Sequence, residues 1–495
     1  MSWLGVDIGT SSCKAVLFDD GGRSLAEAYR SYDLQRPEAD AAEIDAEDLK
    51  QAWRQAIGEA VAAVPSNPPR GLSISSQGEA VMLLDGAGNP IHPVLISLDH
   101  RGRQHLDRLV EQRGAETIYQ RCGHAPHAMY SWSKLAWLKS AKPAVWQHIQ
   151  AVHCLEDALQ QDLGVEQPAM SWSLAGRSMC FEVHQHAWDD ELLDQLGLTS
   201  EYLPRLLSSG AIAGTVSAAA AERFGLPAGI AVVCGGHDQG MGALGAGVSR
   251  AGEAMYATGS IECLCPAIDR LCLTPELFAA NLCCYDFTLP NMATTVAFSF
   301  TGGNALQWFR DQFARDLKQA HGDRPAYDRL LESMPEAPTS LLCLPYFTPS
   351  ATPYFHPQAM GAILGLDLSM ERGTVLKGIQ EGIALEMRLN CSLLEENGIP
   401  VHRFLATGGA ARSPISTQLK ADVLGRPVAA LNVREAGCLG GAMLAAAAVS
   451  GNDIATVQAA MKPQAVDIDP RPMHSAHYDE QYTRYATLYQ TLRDL

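Results

Sequence analysis

Gly5-Val6-Asp7-Ile8-Gly9-Thr10-Ser11-Ser12-Cys13-Lys14 is the stretch whose reading decides the fold. An apolar run reaches Asp7 and then turns through four small residues, as a strand does when it feeds a tight loop. Residues 6–14 and 15–19 form two short apolar runs, and the turn Asp20-Gly21-Gly22 leads into a third. That pattern predicts a β-meander whose acidic and glycine turn residues supply the backbone conformations a hairpin needs. Gly9, Thr10, Ser11 and Ser12 leave amides and hydroxyls accessible to an anion. Lys14 can add a point charge toward phosphate, and Asp7 can hold Mg²⁺ through water. A plain hairpin would need no ligand; the lysine and the meander favour phosphate.

A second stretch answers the first. Gly229-Ile230-Ala231-Val232-Val233 reads as a buried strand, and Cys234-Gly235-Gly236-His237-Asp238-Gln239-Gly240-Met241-Gly242 follows it. Strand ends in α/β domains aim single side chains into a cleft. Asp238 so placed is a candidate general base for phosphoryl transfer to an alcohol, a reaction that mostly needs positioning and charge neutralisation. Asp at a glycine turn is also a common Asx-turn residue. Gln77-Gly78-Glu79 and Leu98-Asp99-His100-Arg101 each follow an apolar strand, and their groups suit bidentate contact with vicinal hydroxyls. Gly240-Met241-Gly242-Ala243-Leu244-Gly245 matches the dinucleotide fingerprint, but three residues separate it from its strand and no βαβ pattern connects it to Glu262. With 43 glycines in the chain such a match is cheap.

Composition narrows the classes. A chain of 495 residues is expected to form two large domains. Its net charge of -18 argues against nucleic-acid and anionic-membrane partners but not against ATP, which backbone amides and one lysine can hold. The 13 cysteines are scattered without CxxC spacing and read as reduced, buried thiols of a cytoplasmic protein. No signal core is apparent; residues 436–449 come closest to a span but read as a buried helix. His124 with His127, and His474 with His477, lack the further ligands a metal site needs.

Residues 45–64 have helical spacing, 71–76 read as a strand, and 81–85 and 93–98 as two more. The middle, 104–207, reads as mostly helical, and 245–252 as a glycine-rich crossover. Beyond it the theme returns: a strand at 253–258 ends in Thr258-Gly259-Ser260, Gly302-Gly303 precedes a helical stretch at 305–320, and a strand from Phe404 ends on Gly408-Gly409. Two similar halves facing across a cleft would place a nucleotide between them. Tyr478, Tyr482, Tyr485, Tyr489 and Leu492 fall at helical spacing and read as a packing stripe.

Taken together these residues resemble the FGGY family of carbohydrate kinases over essentially the whole chain. Asp7 to Lys14 resembles its first phosphate motif; Met129, Ser131, Lys134, Trp137 and Leu138 its N-terminal signature, with Ser140 where a larger polar residue is usual. Gly235-Gly236-His237-Asp238 is similar to its catalytic-aspartate loop, Thr258-Gly259 to its β,γ-phosphate turn, and Gly303 before Trp308 to its nucleotide glycine. Thr407-Gly408-Gly409-Ala410-Ala411-Arg412-Ser413-Pro414 resembles the adenosine motif, and Gly365-Leu366 with residues 376–381 the C-terminal signature.

The resemblance implies an α/β protein of two ribonuclease-H-like domains, as in actin, Hsp70 and hexokinase, facing across a central cleft and divided here as 1–247 and 248–495. It implies ATP and Mg²⁺ as cofactors, Asp238 as base and Asp7 at the metal. Thr10, Ser11, Lys14, Thr258 and Gly259 would meet the phosphates, and Gly303, Gly409 and Ser413 the adenosine. Gln77, Glu79, Asp99 and Arg101 would read the hydroxyls of a small sugar or polyol, and a homodimer is a compatible assembly. Gln77-Gly78-Glu79-Ala80 departs from the Gln-Met-His-Gly of xylulokinases and keeps only the Glu of the glycerol-kinase Gln-Arg-Glu-Thr. Met170 to Ala175 and Pro349 to Pro353 depart as well. A D-xylulose-like ketopentose leads among substrates, with glycerol-, erythritol- or ribulose-like molecules as alternatives; Glu79 facing the site would argue against a sugar acid. An ATP-driven conformational switch and an NAD enzyme are the readings from other classes.

Overall fold

The computed structural model describes residues 1–493. Strands β1 (Ser2–Ile8), β2 (Ser12–Asp19) and β3 (Ser24–Ser31) form the expected antiparallel meander. β4 (Pro69–Ser76) runs parallel to β1, and β6 (Ala231–His237) parallel to β4, with β5 (Ile212–Thr215) antiparallel at the edge. The sheet order is therefore β5-β6-β4-β1-β2-β3. Helix α1 (Ala46–Ala62) covers one face: Asp45 caps it by accepting from the Glu47 and Asp48 amides, and Leu49, Trp53, Ala56 and Ile57 are buried.

The second half repeats this order. β7 (Glu253–Thr258) pairs antiparallel with β8 (Glu262–Ile268) and parallel with β12 (Arg403–Thr407), which is parallel to β13 (Val428–Leu431). β9 (Tyr285–Asp286), β10 (Ala293–Thr294) and β11 (Ala297–Ser299) extend the β8 side, and β14 (Ala465–Ile468) closes the other. Each sheet is thus an antiparallel meander continued by parallel strands, and the duplication read from pattern is present in topology.

Two helices join the halves. α2 (Asp238–Ala246) leaves β6, and α5 (Ala436–Ser450) lies against it and against β1, β4 and β6 of the first sheet. Their approach depends on missing side chains: a Cβ on Gly245 would sit 1.9 Å from the Ala436 carbonyl oxygen, and one on Gly5 1.8 Å from that of Cys438. One apolar core therefore runs from Trp3, Phe18 and Val233 through Met241 and Met443 to Met255 and Leu405. A cut at 247/248 separates the sheets but not their packing.

The middle is more mixed than its composition implies. Helices Arg103–Arg113, Ala115–Cys122, Ser131–Ala141 and Leu155–Asp162 alternate with two-stranded pairs such as Met82–Leu84 with Ala151–His153. The helix expected at 305–320 is broken at the buried Ala314 into α3 (Gly303–Phe313) and the short helix Arg315–His321. The tyrosine stripe packs inward: Tyr478 donates to Glu381 and Tyr485 to Glu386. All thirteen cysteines are free and all but Cys272 are buried. No helix among the described residues is long and apolar enough to cross a membrane.

Candidate active site

The C-terminal ends of the parallel strands carry the polar residues. Asp7 stands in register with Lys14 on one side and Ser75 on the other. Ser75 Oγ donates to Asp7 Oδ1 at 2.6 Å. Burial raises the carboxyl above its usual range, partly offset by Ser75 and Lys14. Below the loop, the Tyr32 hydroxyl donates to the Gly9 and Ser12 carbonyls and the Gln77 amide to Gly9 O at 3.0 Å. Thr10 is half-buried above it and Ser11 exposed. Lys14 Nζ lies 2.7 Å from Glu435 Oε2, at the start of α5. Burial opposes its charge, and Glu435 and Asp7 more than restore it.

Asp238 is the first residue of α2, with its side chain three-tenths exposed. His237 Nε2 is 3.2 Å from Asp238 Oδ1, and His237 Nδ1 is 2.8 Å from the Tyr285 hydroxyl. Burial, with Arg177 and His124 nearby, keeps this imidazole neutral. The bonding pattern then assigns the proton to Nε2, donating to Asp238, while Nδ1 accepts from Tyr285. Asp238 is pushed up to about 7 by burial and then by the negative charges of Asp7 and Glu79. The strand beneath is held by buried Glu156, whose oxygens accept from Gly235 N at 2.6 Å and from Ser171 N and Oγ at 3.1 and 2.8 Å.

Glu79 is buried and paired with buried Arg177, whose Nε donates at 2.6 Å. The guanidinium sits 5.2 Å from the Tyr130 ring and 5.5 Å from that of Tyr285. The premise that Glu79 repels a sugar acid therefore does not hold, because its charge is matched within the same wall. Gln77 keeps a buried Oε1 with no partner among the described residues.

Asp99 and Arg101 are placed otherwise than expected. Asp99 is fully buried and accepts from Ala42 N at 3.0 Å and from Arg101 Nε at 2.9 Å. Arg101 also reaches Glu43 at 2.6 Å and Glu38 at 3.1 Å and stacks 3.8 Å over Trp137. With both groups engaged by protein, they tie the strand of Glu43 to the Leu98 turn and have little left for hydroxyls.

The second half offers backbone instead of charge. Thr258 Oγ1 donates to Thr407 O at 2.6 Å and accepts from Ala411 N at 3.0 Å, so the two strand-end turns are stitched together. Gly303 N donates to Gly259 O at 2.9 Å, and a Cβ at Gly303 would lie 2.6 Å from that oxygen. Gly409 has open space where a side chain would go. Ser413 caps α4 (Pro414–Leu424), its Oγ accepting from Ser416 N at 3.3 Å.

The halves meet at Asp238, since Tyr285 belongs to β9 of the second sheet. An acceptor near neutrality and an open small-residue loop stand at the strand ends of the first sheet, where Asp7 and Asp238 feel each other's charge, and glycine turns stand at the strand ends of the second, groups able to bind phosphate and take a proton from a hydroxyl. Asp7 and Asp238 leave an excess of negative charge while Lys14 is held by Glu435, which suits a hard divalent cation. Among the described residues no three metal-ligating side chains cluster, so such an ion would rest on Asp7, water and phosphate oxygens. Sequence reasoning missed Ser75, Glu156, Arg177, Tyr285 and Glu435. His237 stood in the quoted loop; the others carry no local signal.

Comparison with known proteins agrees with this architecture. The N-terminal domain model of the FGGY family of carbohydrate kinases matches residues 2–245 and the C-terminal domain model residues 272–449. A gluconokinase of Bacillus licheniformis is 27% identical over 448 residues, covering 89% of this chain and 86% of that protein. An autoinducer-2 kinase of Klebsiella pneumoniae is 27% identical over 506 residues, covering 98% and 93%. The crystal structure of xylulose kinase from Rhodospirillum rubrum superposes with a TM-score of 0.91 at 26% identity, covering 100% of this chain and 99% of that one. The chain belongs to the FGGY family of carbohydrate kinases.

Proposed function

From that membership and the cleft just described, we propose that the protein transfers the γ-phosphoryl group of ATP to a terminal hydroxyl of a small sugar or polyol, with Asp238 as general base. One observation carries the assignment of the base. Asp238 is held between a neutral His237 and the cleft, with its carboxyl at about 7, where a base both exists deprotonated and accepts a proton usefully. The hydroxyl proton passes to an Asp238 oxygen, the freed oxygen attacks the γ-phosphorus, and ADP departs. Thr10, Ser11 and Lys14 would hold the phosphates from the first half, Thr258 and Gly259 from the second. Gly303, Gly409 and Ser413 would shape the adenosine pocket. Mg²⁺ on Asp7 would neutralise the phosphate charge. Gln77 Oε1 and the Glu79–Arg177 pair would meet the substrate's hydroxyls.

A D-xylulose-like ketopentose is the substrate we place first. The Glu79–Arg177 pair supports a second reading, a sugar acid, because Arg177 offsets the charge that would otherwise repel a carboxylate. Coupled ADP release with Mg·ATP over D-xylulose, gluconate and glycerol tests both, with wild type and Asp238→Asn run side by side. Sugar-dependent release that collapses in the variant supports the base and names the substrate. Release independent of sugar and unchanged in the variant would sink the reading in favour of a nucleotide switch.

A further inference from the structure

A cavity of about 450 Å³ lies outside the catalytic cleft, with one wall from each half of the molecule. Trp172, His184, His186 and Ser209 come from the first half, Arg270 and Asp286 from the second. Its rim is built. The His186 ring stacks on Trp172 with centroids 4.0 Å apart and planes 6° apart, and His186 Nε2 lies 2.9 Å from Asp286 Oδ1. His184 Nε2 is engaged by Gln120 O at 3.1 Å.

Two buried polar atoms here have no partner among the described residues: the Trp172 indole nitrogen, a pure donor, and Ser209 Oγ. Buried donors left unpaired are costly and call for an explanation. Arg270, exposed at the mouth, forms no ion pair or hydrogen bond among the described residues. Asp286 is the one carboxylate among the residues lining the cavity, and His186 faces it. Free capacity therefore includes a guanidinium, an indole N–H and a hydroxyl, in a volume suited to a small metabolite.

We propose that this cavity is a second binding site, for a small hydroxylated anion: a polyol carrying a phosphate or carboxylate that Arg270 meets while Trp172 and Ser209 bond its oxygens. The site stands back to back with the catalytic one. The short segment after Trp172 turns Arg177 toward Glu79, and β9 sends Tyr285 to His237 and Asp286 to His186. A ligand joining walls from both halves binds with an affinity linked to their relative position, and a cleft ligand that shifts that position changes it reciprocally.

The test is calorimetric titration with ribose 5-phosphate, ribonate and inorganic phosphate, which needs no activity and does not rest on the proposed reaction. Wild type, Arg270→Ala, Trp172→Phe and Asp238→Asn are compared; Trp172→Phe keeps one aromatic ring beside His186 while removing the N–H together with the pyrrole ring. Binding of at least one probe is expected, weakened about tenfold or more by Arg270→Ala and severalfold by Trp172→Phe, and unchanged in Asp238→Asn. Preference for ribose 5-phosphate or for ribonate tells which anionic group the site takes. No binding up to about 10 mM, or binding that Arg270→Ala leaves unchanged, overturns the proposal.

Discussion

The two halves share a sheet order and differ in what their strand ends present. The first delivers ionisable side chains: Asp7 from β1, Asp238 after β6, and the Glu79–Arg177 pair beyond β4. The second delivers glycine and amide: Gly303 against Gly259, and a Cβ on Gly408 would lie 2.7 Å from the Thr258 carbonyl oxygen. Under the proposed function the same topology would carry two chemistries. Bond-making needs charge aimed at one atom, whereas a nucleotide is held by close backbone approach that tolerates no side chain. The halves should therefore fail differently when altered, one through kcat and the other through the nucleotide KM.

Asp238→Asn should produce the largest effect, a fall in kcat on the order of 10²–10⁴-fold with both KM values little changed. Its stability should move the other way. The carboxyl is raised from 3.8 to about 7, so the folded state binds the proton more tightly than the unfolded one. That contribution is complete below the unfolded pKa and is lost as pH rises through about 7. A neutral Asn escapes the loss, and the variant should melt higher than wild type at pH 8 and not at pH 4. In wild type the same ionisation should make kcat/KM fall about tenfold per pH unit below about 7. A pH-independent rate between 5 and 8 would remove Asp238 as the titrating base.

Asp99 looks like the other acids of the first half in sequence and is placed unlike them. Removing a partner from a buried ion pair costs about 3–5 kcal/mol, so Asp99→Ala should lose that much stability in denaturant titration. The sugar KM of whatever remains folded should hold. A raised sugar KM with unchanged stability would return Asp99 and Arg101 to the substrate.

That misplacement marks what the sequence can carry. Asp7 and Asp238 were legible because a strand, a small-residue turn and an acid occupy consecutive positions, and chain geometry alone then aims the side chain. The Arg177–Glu79 contact joins residues 98 apart, Gly235–Glu156 79 apart and Lys14–Glu435 421 apart. None leaves a local trace, since each partner is set by how segments pack. Asp99-His100-Arg101 failed for the converse reason: a polar turn reads alike whether it faces substrate, solvent or a buried glutamate. The break at Ala314 was also invisible, because no Gly or Pro marks it; Ala314 is fully buried beside Phe309 and Leu330, and packing overrides a continuous helical pattern.

Gly303→Val probes the second half. Its Cβ would meet the Gly259 oxygen at 2.6 Å, so α3 must move away from the turn it touches. Overpacking of about 1–3 kcal/mol, expressed as lost nucleotide affinity, is roughly a 5- to 150-fold rise in the ATP KM. The sugar KM should stay within about twofold, a shift worth under half a kcal/mol. Equal rises in both would mean that the division of labour between halves is wrong.

Ser413 gives the smallest and sharpest case, because geometry offers it two roles. Its Oγ accepts from Ser416 N at 3.3 Å, and Pro414 stands at the first position of α4, which is how a helix start is made without any ligand. Ser413→Ala should cost about 1 kcal/mol of stability if capping is its whole work, with the ATP KM unchanged. Ser413→Asp restores a capping oxygen and adds a charge beside the proposed adenosine pocket, so it separates the roles. Stability regained with an unaltered ATP KM leaves Ser413 a cap; stability regained with a raised ATP KM puts the nucleotide against it. The second outcome would also show that even the uncharged wall of the cleft is read by the side chains at its edge, and the contrast between the halves would then be one of degree.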